Sequence, residues 1–333
     1  MTFHALLDNA KPPGLIHSDG DFGPWNPDEP GDTPVAGKYT LRDANLGVFP
    51  GIAGTLASDG QYHGELDRIE VEGTTDVPDF ALTTAGHRMH LQTRFSATVD
   101  GTNGNTDLHP VHAVLGKSTF DVSGSIERAA LETHKEIVLH ASAGKTGLED
   151  FLRLAVNSPR PPMTGRIAFN TTVKIPPGST PVVVRLQLDG TFRLDGVRFT
   201  SPDITAKIAS LSHHAQGEPE ASGTDGITAE FAGRFGLRSG VMALPQLRFQ
   251  VPGADVSLAG KYWLTSGDID FTGTARLDAT ASQMVTGWKH VLLRPLDPLF
   301  RRDGAGTVLP IRITGTRGTP SFKLDIGRVL RRN

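Results

Sequence analysis

The chain has 333 residues, no cysteine and a formal net charge of −3. These values exclude disulfides, thiolate metal sites and a cysteine nucleophile, and they give bulk nucleic-acid binding no basic field to support it. The 38 glycines and 23 prolines exceed average usage. Because strand-like apolar runs fill most of the chain, this excess predicts many tight turns.

Residues 1–36 open the chain and are dense in Pro, Gly and Asp from residue 12 onward. This composition predicts an irregular lead-in rather than a strand. From residue 37 to about 143 apolar and polar residues alternate, most clearly over 89–99 (MHLQTRFSATV). Alternation with a period of two is typical of a half-exposed antiparallel strand.

A five-residue phrase recurs four times, as GKYTL, GTFRL, GRFGL and GKYWL. Its aromatic residue and its leucine fall on one face of an extended strand, because side chains alternate between the two faces. Three copies run into a turn signal: Asp195-Gly196, Ser239-Gly240 and Ser266-Gly267. We therefore expect β-hairpins that each have one apolar face, including one over residues 182–199.

Helical spacing of apolar residues interrupts this pattern and predicts three short helices, near 147–156, 201–213 and 280–293. The fold class expected is mainly β: a long curved antiparallel sheet of hairpins that forms an open apolar groove, with these helices flanking or capping it. A closed sandwich with a dry core is the alternative, and alternation alone does not exclude it. Repetition of one hairpin style along the chain favours the open sheet.

Motifs for catalysis or metal binding are weak. The loop from Asp100 to Asp107 lacks the ligands of a calcium loop, since Val111 stands where a bidentate glutamate is needed. His109 and His112 have no third or fourth ligand in view. Asp268 and Asp270 are two residues apart beside a turn, which favours solvated charges over a glycosidase pair. We expect no catalytic residue, no metal site and no cofactor.

Several longer phrases resemble the AsmA-like C-terminal region of bacterial envelope proteins. They are PDFAL, FSATVDGTNGNTDLHPV, LRFQVPGADVSLAGKY, ASQMVTGWKHVLLRPLDPLF and GTVLPIRITGTRGTPSFKLDIG, which together cover much of the chain. The resemblance is to AsmA/TamB-type bridge-like lipid-transfer proteins. It implies a periplasmic β-groove over 37–333, tethered in the full-length protein by an inner-membrane anchor helix. This chain lacks such a helix, so we expect it to be a piece of a longer protein.

The function expected is therefore non-enzymatic: lipid acyl chains bind in the groove, and the protein assists phospholipid transport or outer-membrane homeostasis. The alternative is an assembly factor that docks inner- or outer-membrane proteins by adding a strand at its sheet edge. A carbohydrate-active enzyme is a third hypothesis, weakened by the scarcity of Trp and Tyr. Nucleic acid is not an expected partner.

Candidate residues follow from the alternation. Those expected to line the groove are Leu91, Phe95, Leu186, Phe192, Phe231, Phe235, Phe249, Leu258 and Tyr262. Those expected to cap its end or contact a membrane are Met284, Trp288, Leu292, Arg301 and Arg302.

Overall fold

The computed structural model describes residues 1–83, 87–128, 134–180, 182–218, 227–279, 307–316 and 319–324. The chain divides into two compact units. Unit 1 comprises Met1–Pro161 and Phe169–Leu188, and unit 2 comprises Pro162–Ala168 and Asp189–Asn333. Within the described ranges, no helix has the length and apolar character needed to cross a membrane.

Unit 1 is built from successive antiparallel strands. They are β1 (Thr2–Ala10), β2 (Pro13–Phe22), β3 (Pro34–Asn45), β4 (Ile52–Ala53), β5 (Thr55–Glu65), β6 (Arg68–Leu82), β7 (Met89–Val99), β8 (Thr106–Leu115), β9 (Ser118–Glu127) and β10 (Glu136–Gly147). Each pairs with the next along the chain, except that β5 pairs with β3 and the short β4 pairs with β6. Among the described pairings nothing joins β1 to β10, so this sheet is open.

Unit 2 continues the same style. Its strands are β13 (Ala229–Arg238), β14 (Val241–Val251), β15 (Ala254–Trp263), β16 (Asp268–Leu277), β17 (Thr307–Thr316) and β18 (Pro320–Leu324). They pair in chain order and antiparallel. Two further strands have residues in both units: β11 (Met163–Ile175) and β12 (Gln187–Phe199). The prediction of a mainly β chain with long, open, antiparallel sheet structure is confirmed.

The described helices are α1 (Leu148–Ala155), α2 (Val182–Arg185) and α3 (Pro202–Gln216). α1 and α3 confirm the helices predicted near 147–156 and 201–213. α3 runs three residues further than predicted, because Gly217 adopts a left-handed conformation and its N–H caps the helix on the carbonyls of His213 and His214. The helix predicted over 280–293 lies outside the described residues.

Two local predictions were wrong. Most of residues 1–36 is not irregular, because β1 and β2 form a hairpin there and only the stretch between β2 and β3 lacks strands. The hairpin expected over 182–199 does not exist, because α2 is followed by the single strand β12. Gly196, with φ of 60°, lies inside that strand, where the expected turn signal is an irregularity rather than a reversal.

One group of buried residues in unit 1 lies where α1 meets the strand ends. Leu148, at the start of α1, is 3% exposed, and Met89 and Leu115 are buried as well. One carboxylate oxygen of Asp150 accepts hydrogen bonds from the backbone N–H of Lys117 and from Ser118 Oγ, both at 2.9 Å. These bonds fix α1 on the turn between β8 and β9.

Unit 2 uses α3 in the same way. Ala209, Ser212 and Ala215 of α3 are buried, and Ser212 Oγ donates to the carbonyl of Pro252 at 2.8 Å. The N–H of Ala279, just beyond β16, donates to the carbonyl of Ala215 at 2.8 Å. α3 therefore sits on the turn between β14 and β15.

Candidate functional site

Unit 2 presents one apolar face, because its strands are in register with apolar residues opposite one another. Phe231 of β13 pairs with Phe249 of β14, and Phe249 pairs with Val256 of β15. Neighbours on β13 such as Glu230 and Arg234 point the other way and are exposed. The unit 2 face comprises Phe192, Leu194, Phe231, Phe235, Leu237, Met242, Leu244, Leu247, Phe249, Val256, Leu258, Tyr262, Ile269, Phe271, Ile311 and Ile313.

The phenylalanines of this face contact one another directly. The ring centroids of Phe231 and Phe249 are 4.8 Å apart, and those of Phe192 and Phe235 are 6.2 Å apart. Both separations are typical of interacting aromatic pairs. Six of the nine predicted groove residues (Phe192, Phe231, Phe235, Phe249, Leu258 and Tyr262) therefore lie together on one face.

Burial along this face is uneven, and Leu237, at the end away from α3, is only 3% exposed. Val256 and Ala275 are buried near the helix, whereas Leu258, Tyr262 and Phe271, further along the same strands, are only half-buried. Within the described part of unit 2, α3 covers only this end of the face. Apart from Leu237, most of the remaining apolar side chains are partly exposed, so water reaches part of this face.

Glycines on the face are covered by aromatic rings from the facing strand. A Cβ placed on Gly260 would lie 2.4 Å from the Phe271 ring, and one placed on Gly233 would lie 3.0 Å from the Phe192 ring. Only glycine allows a ring to lie this close to the backbone. These two glycines begin two copies of the repeated phrase. The phrase therefore supplies an aromatic ring and also a glycine over which a ring from the neighbouring strand can lie.

Unit 1 has a corresponding face, but hydroxyl groups are part of it. Tyr62 Oη and Ser18 Oγ are hydrogen-bonded at 2.7 Å, and Tyr39 Oη and Ser58 Oγ at 3.1 Å. Burial raises the pKa of the Tyr39 hydroxyl above its ordinary value. The polar atoms on this face are therefore paired with one another.

Thr75 and Thr93 extend the hydroxyl pairing across β6 and β7, with their Oγ1 atoms 2.7 Å apart. The two predicted groove residues of unit 1, Leu91 and Phe95, lie on the same face of β7. Phe95 covers Gly73 of β6, where a Cβ would lie 3.1 Å from the ring. Leu91 and Phe95 therefore share one face of the sheet, which is less uniformly apolar than that of unit 2.

Leu186 does not belong to either face. It lies between α2 and β12, outside any strand, because residues 182–185 are helical and the alternation through Val184 does not exist as a strand. Met284, Trp288, Leu292, Arg301 and Arg302 lie outside the described residues, so the predicted end-cap has no structural outcome.

A depression of about 750 Å³ lies in unit 2 at the glycines of the sheet. Phe192, Gly233, Leu247, Leu258 and Gly273 line it from positions of the apolar face, and residues such as Arg248 and Ser257 line it from positions of the opposite, polar face. Its volume is within the usual range for small-molecule sites. Two of the predicted groove residues, Phe192 and Leu258, line it.

The weaker motifs have local roles. Asp100 accepts bonds from the N–H and hydroxyl of Thr102 and from Asn103 Nδ2, which lowers its pKa and closes the loop as a turn. His109 contacts Thr98 Oγ1 at 2.9 Å, and His112 contacts Asp121. Asp270 pairs with Arg312 at 3.4 Å, and Asp268 accepts from Ser266 Oγ at 2.6 Å.

Among the described residues, one group has the spacing of a metal site. Asp32, Glu65 and Asp67 hold ligand atoms within 4.8 Å of one another, and all three are exposed. Exposed acidic groups of this kind are common without a metal, and no further ligand-like feature marks this one.

Comparisons with known proteins add no relative. No family model matches the chain, and no curated protein or solved structure matches it either.

Proposed function

We propose that this chain is a non-enzymatic module of the bacterial envelope that binds lipid acyl chains on its apolar sheet faces. It would thereby assist phospholipid transport or outer-membrane homeostasis. The observation that supports this most is the partly exposed face of unit 2, where phenylalanine and aliphatic side chains form a continuous surface beside α3. Such a surface in water favours an apolar ligand.

Chemistry and energetics fit a hydrocarbon chain. Burial of each methylene contributes about 0.8 kcal/mol, so roughly ten methylenes on the face would contribute about 8 kcal/mol before the cost of ordering the chain. The face has no charged member, and its alternate residues on the opposite side carry the charges. An acyl chain is therefore a better match than a sugar or a nucleotide.

Localisation and partners follow from the resemblance to AsmA-like proteins. A periplasmic position would place the apolar face between two membranes, with phospholipids as ligands and with envelope membrane proteins as donors or acceptors. The absence of a charged cluster on the face suggests that headgroups stay in water while acyl chains are held.

Native mass spectrometry of the purified chain, followed by lipid extraction, tests the proposal. We expect phospholipid bound at a defined stoichiometry. Phe235→Asp should abolish retention with the fold kept, because a carboxylate at a half-buried position repels hydrocarbon yet can remain hydrated.

A matched control lies on the opposite side of the same sheet. Thr274 is exposed on the neighbouring strand β16, at a position of the opposite face, so Leu258→Asp should release lipid whereas Thr274→Asp should not. A lipid-free mass from a cooperatively folded wild-type chain would contradict the proposal. Unfolding of Phe235→Asp would contradict it as well, because the face would then be a closed core.

A further inference from the structure

β1 lies at one edge of the sheet that the described residues of unit 1 form. Over its nine residues it pairs with β2 in unbroken register, from Thr2 opposite Asp21 to Ala10 opposite Pro13. In the described part of unit 1 its other side has no strand partner. An edge of this kind leaves backbone N–H and C=O groups free to pair with another strand.

The terminal hydrogen bonds identify which groups face outward. Met1 and Phe22 exchange both backbone bonds at 2.9 Å, so odd-numbered residues of β1 bond to β2. Antiparallel ladders alternate between bonded and non-bonded pairs. The even-numbered residues therefore direct their N–H and C=O groups away from β2: Thr2, His4, Leu6, Asp8 and Ala10.

This edge carries little of the usual protection. Natural edge strands are protected by charged side chains, especially lysine, by proline or by a bulge, and β1 has no lysine, proline or bulge and one acidic residue, Asp8. Leu6 is 63% exposed on the side that carries His4 and Asp8, and Leu7 is 52% exposed on the apolar side. Both leucines would gain burial from a neighbouring strand.

We propose that the occupant of this edge is β1 of a second copy of the chain, antiparallel and centred on Leu6. In this register Leu6 faces Leu6 of the second copy, His4 faces its Asp8, and Thr2 faces its Ala10. All five outward residues then pair with outward residues. This gives about ten main-chain hydrogen bonds, and shifting the register leaves some of them unpaired.

Side-chain charges agree with this register. His4 contacts Asp19 of β2 through Nδ1 at 2.6 Å, which leaves Nε2 directed elsewhere. When the imidazole is protonated, Nε2–H can donate to Asp8 of the second copy. Opposite charges directly across an antiparallel pair are stabilising, and the two-fold axis produces this pair twice.

The same register joins the apolar faces. Residues that pair across the axis have the same parity, so Phe3, Ala5 and Leu7 of both copies lie on one side of the combined sheet. The exposed Leu7 would pack beside Ala5 of the second copy. Dimerisation would thus extend one apolar face into another without a turn between them.

Cysteine trapping tests the register. The chain has no cysteine, so Leu6→Cys introduces a single thiol on the two-fold axis. Bonded antiparallel pairs have Cα atoms about 5.5 Å apart, within the range that a disulfide spans. Mild oxidation should cross-link Leu6→Cys to a covalent dimer. Leu264→Cys, at an exposed leucine in the turn after β15, should stay monomeric on a denaturing gel.

Sedimentation equilibrium tests the association itself. The wild-type chain should show a monomer–dimer equilibrium, and Leu6→Lys should raise the dimer Kd at least about tenfold because two cations would meet on the axis. Leu264→Lys should leave the Kd unchanged. If the wild-type chain stayed monomeric at concentrations up to about 100 μM, any association would have a Kd above roughly that value, and the proposal would be overturned. A dimer that Leu6→Lys does not weaken, or an edge occupied by a strand of a different envelope protein, would overturn it as well.

Discussion

Unit 1 and unit 2 both cover facing glycines with aromatic rings, but the chemistry of the rings differs. In unit 1, Tyr39 and Tyr62 lie over glycines and are held by bonds to Ser58 and Ser18. Phe95, which lies over Gly73 in unit 1, has no such bond, and in unit 2 the rings over glycines are those of Phe192 and Phe271, which cannot form one. Hydrogen bonds therefore hold two of these rings in unit 1, whereas packing alone holds the phenylalanine rings of unit 2.

This difference separates rigidity from adaptability. A tethered tyrosine loses a hydrogen bond if its ring swings away, whereas a phenylalanine changes only its contacts. We therefore expect the face of unit 2 to accommodate a flexible hydrocarbon more readily, and the face of unit 1 to keep its shape. Substitutions in the two units give matched tests of this view.

Gly260→Ala should have the largest effect. The new methyl would lie 2.3 Å from the Asp270 carbonyl oxygen and 2.4 Å from the Phe271 ring, so ring and strand must both shift. We expect a loss of about 3 kcal/mol in the free energy of unfolding, measured by urea denaturation. Gly144→Ala is the control, because nothing lies within 4 Å of a Cβ there, and it should be nearly neutral. Equal losses in both variants would contradict the ring-over-glycine device.

Tyr62→Phe tests the hydrogen bond between Tyr62 and Ser18 in unit 1, and its expected effect is of intermediate size. It removes the hydrogen bond to Ser18 Oγ, and we expect a loss of about 1 kcal/mol in the free energy of unfolding. In the described part of the chain the Tyr262 hydroxyl of unit 2 makes no such bond, so Tyr262→Phe should change stability by less than about 0.5 kcal/mol. If the two variants behaved alike, the proposed contrast between the faces would be wrong.

The smallest expected effect is the pH-dependent contribution to stability of Asp76, on the polar side of the unit 1 sheet. Contacts to His90 at 2.6 Å and Gln92 at 2.9 Å lower the pKa of its carboxyl group. The stabilisation is present above the unfolded value of about 4 and is lost as pH falls through the lower folded value. Because the pair is half-exposed, we expect only a few tenths of a kcal/mol.

Urea denaturation between pH 6 and pH 3 measures this contribution. Asp76→Asn should lose stability relative to the wild type at pH 6, and the difference should shrink toward pH 3. A pH-independent difference would assign the effect to packing rather than to the charge.

Alternation with a period of two was enough to predict the strands and most of the apolar residues, because each strand keeps one polar and one apolar side. β7 shows this best, since 89–99 was predicted as one strand and is one. The helices α1 and α3 were also predictable, because their apolar spacing differs from that of the strands around them.

What could not be predicted depends on partners distant in sequence. The β1 strand was missed because two adjacent leucines, Leu6 and Leu7, break its alternation, and the prolines at the start of β2 suggested a loop. The Asp195-Gly196 dipeptide predicts a turn wrongly, because a dipeptide does not distinguish a reversal from an irregularity within a strand. The pairing of glycines with rings required knowledge of the register.

The rings that lie on glycines have a consequence for how this sequence tolerates mutation. At Gly37, Gly60 and Gly260 even the smallest side chain would meet a ring or a carbonyl within 3 Å. In a scan of all substitutions these positions should be as intolerant as residues of an active site, although they contact no ligand. Positions of this chain that tolerate no substitution would therefore mark where a ring or a carbonyl lies against a glycine, rather than where a reaction occurs.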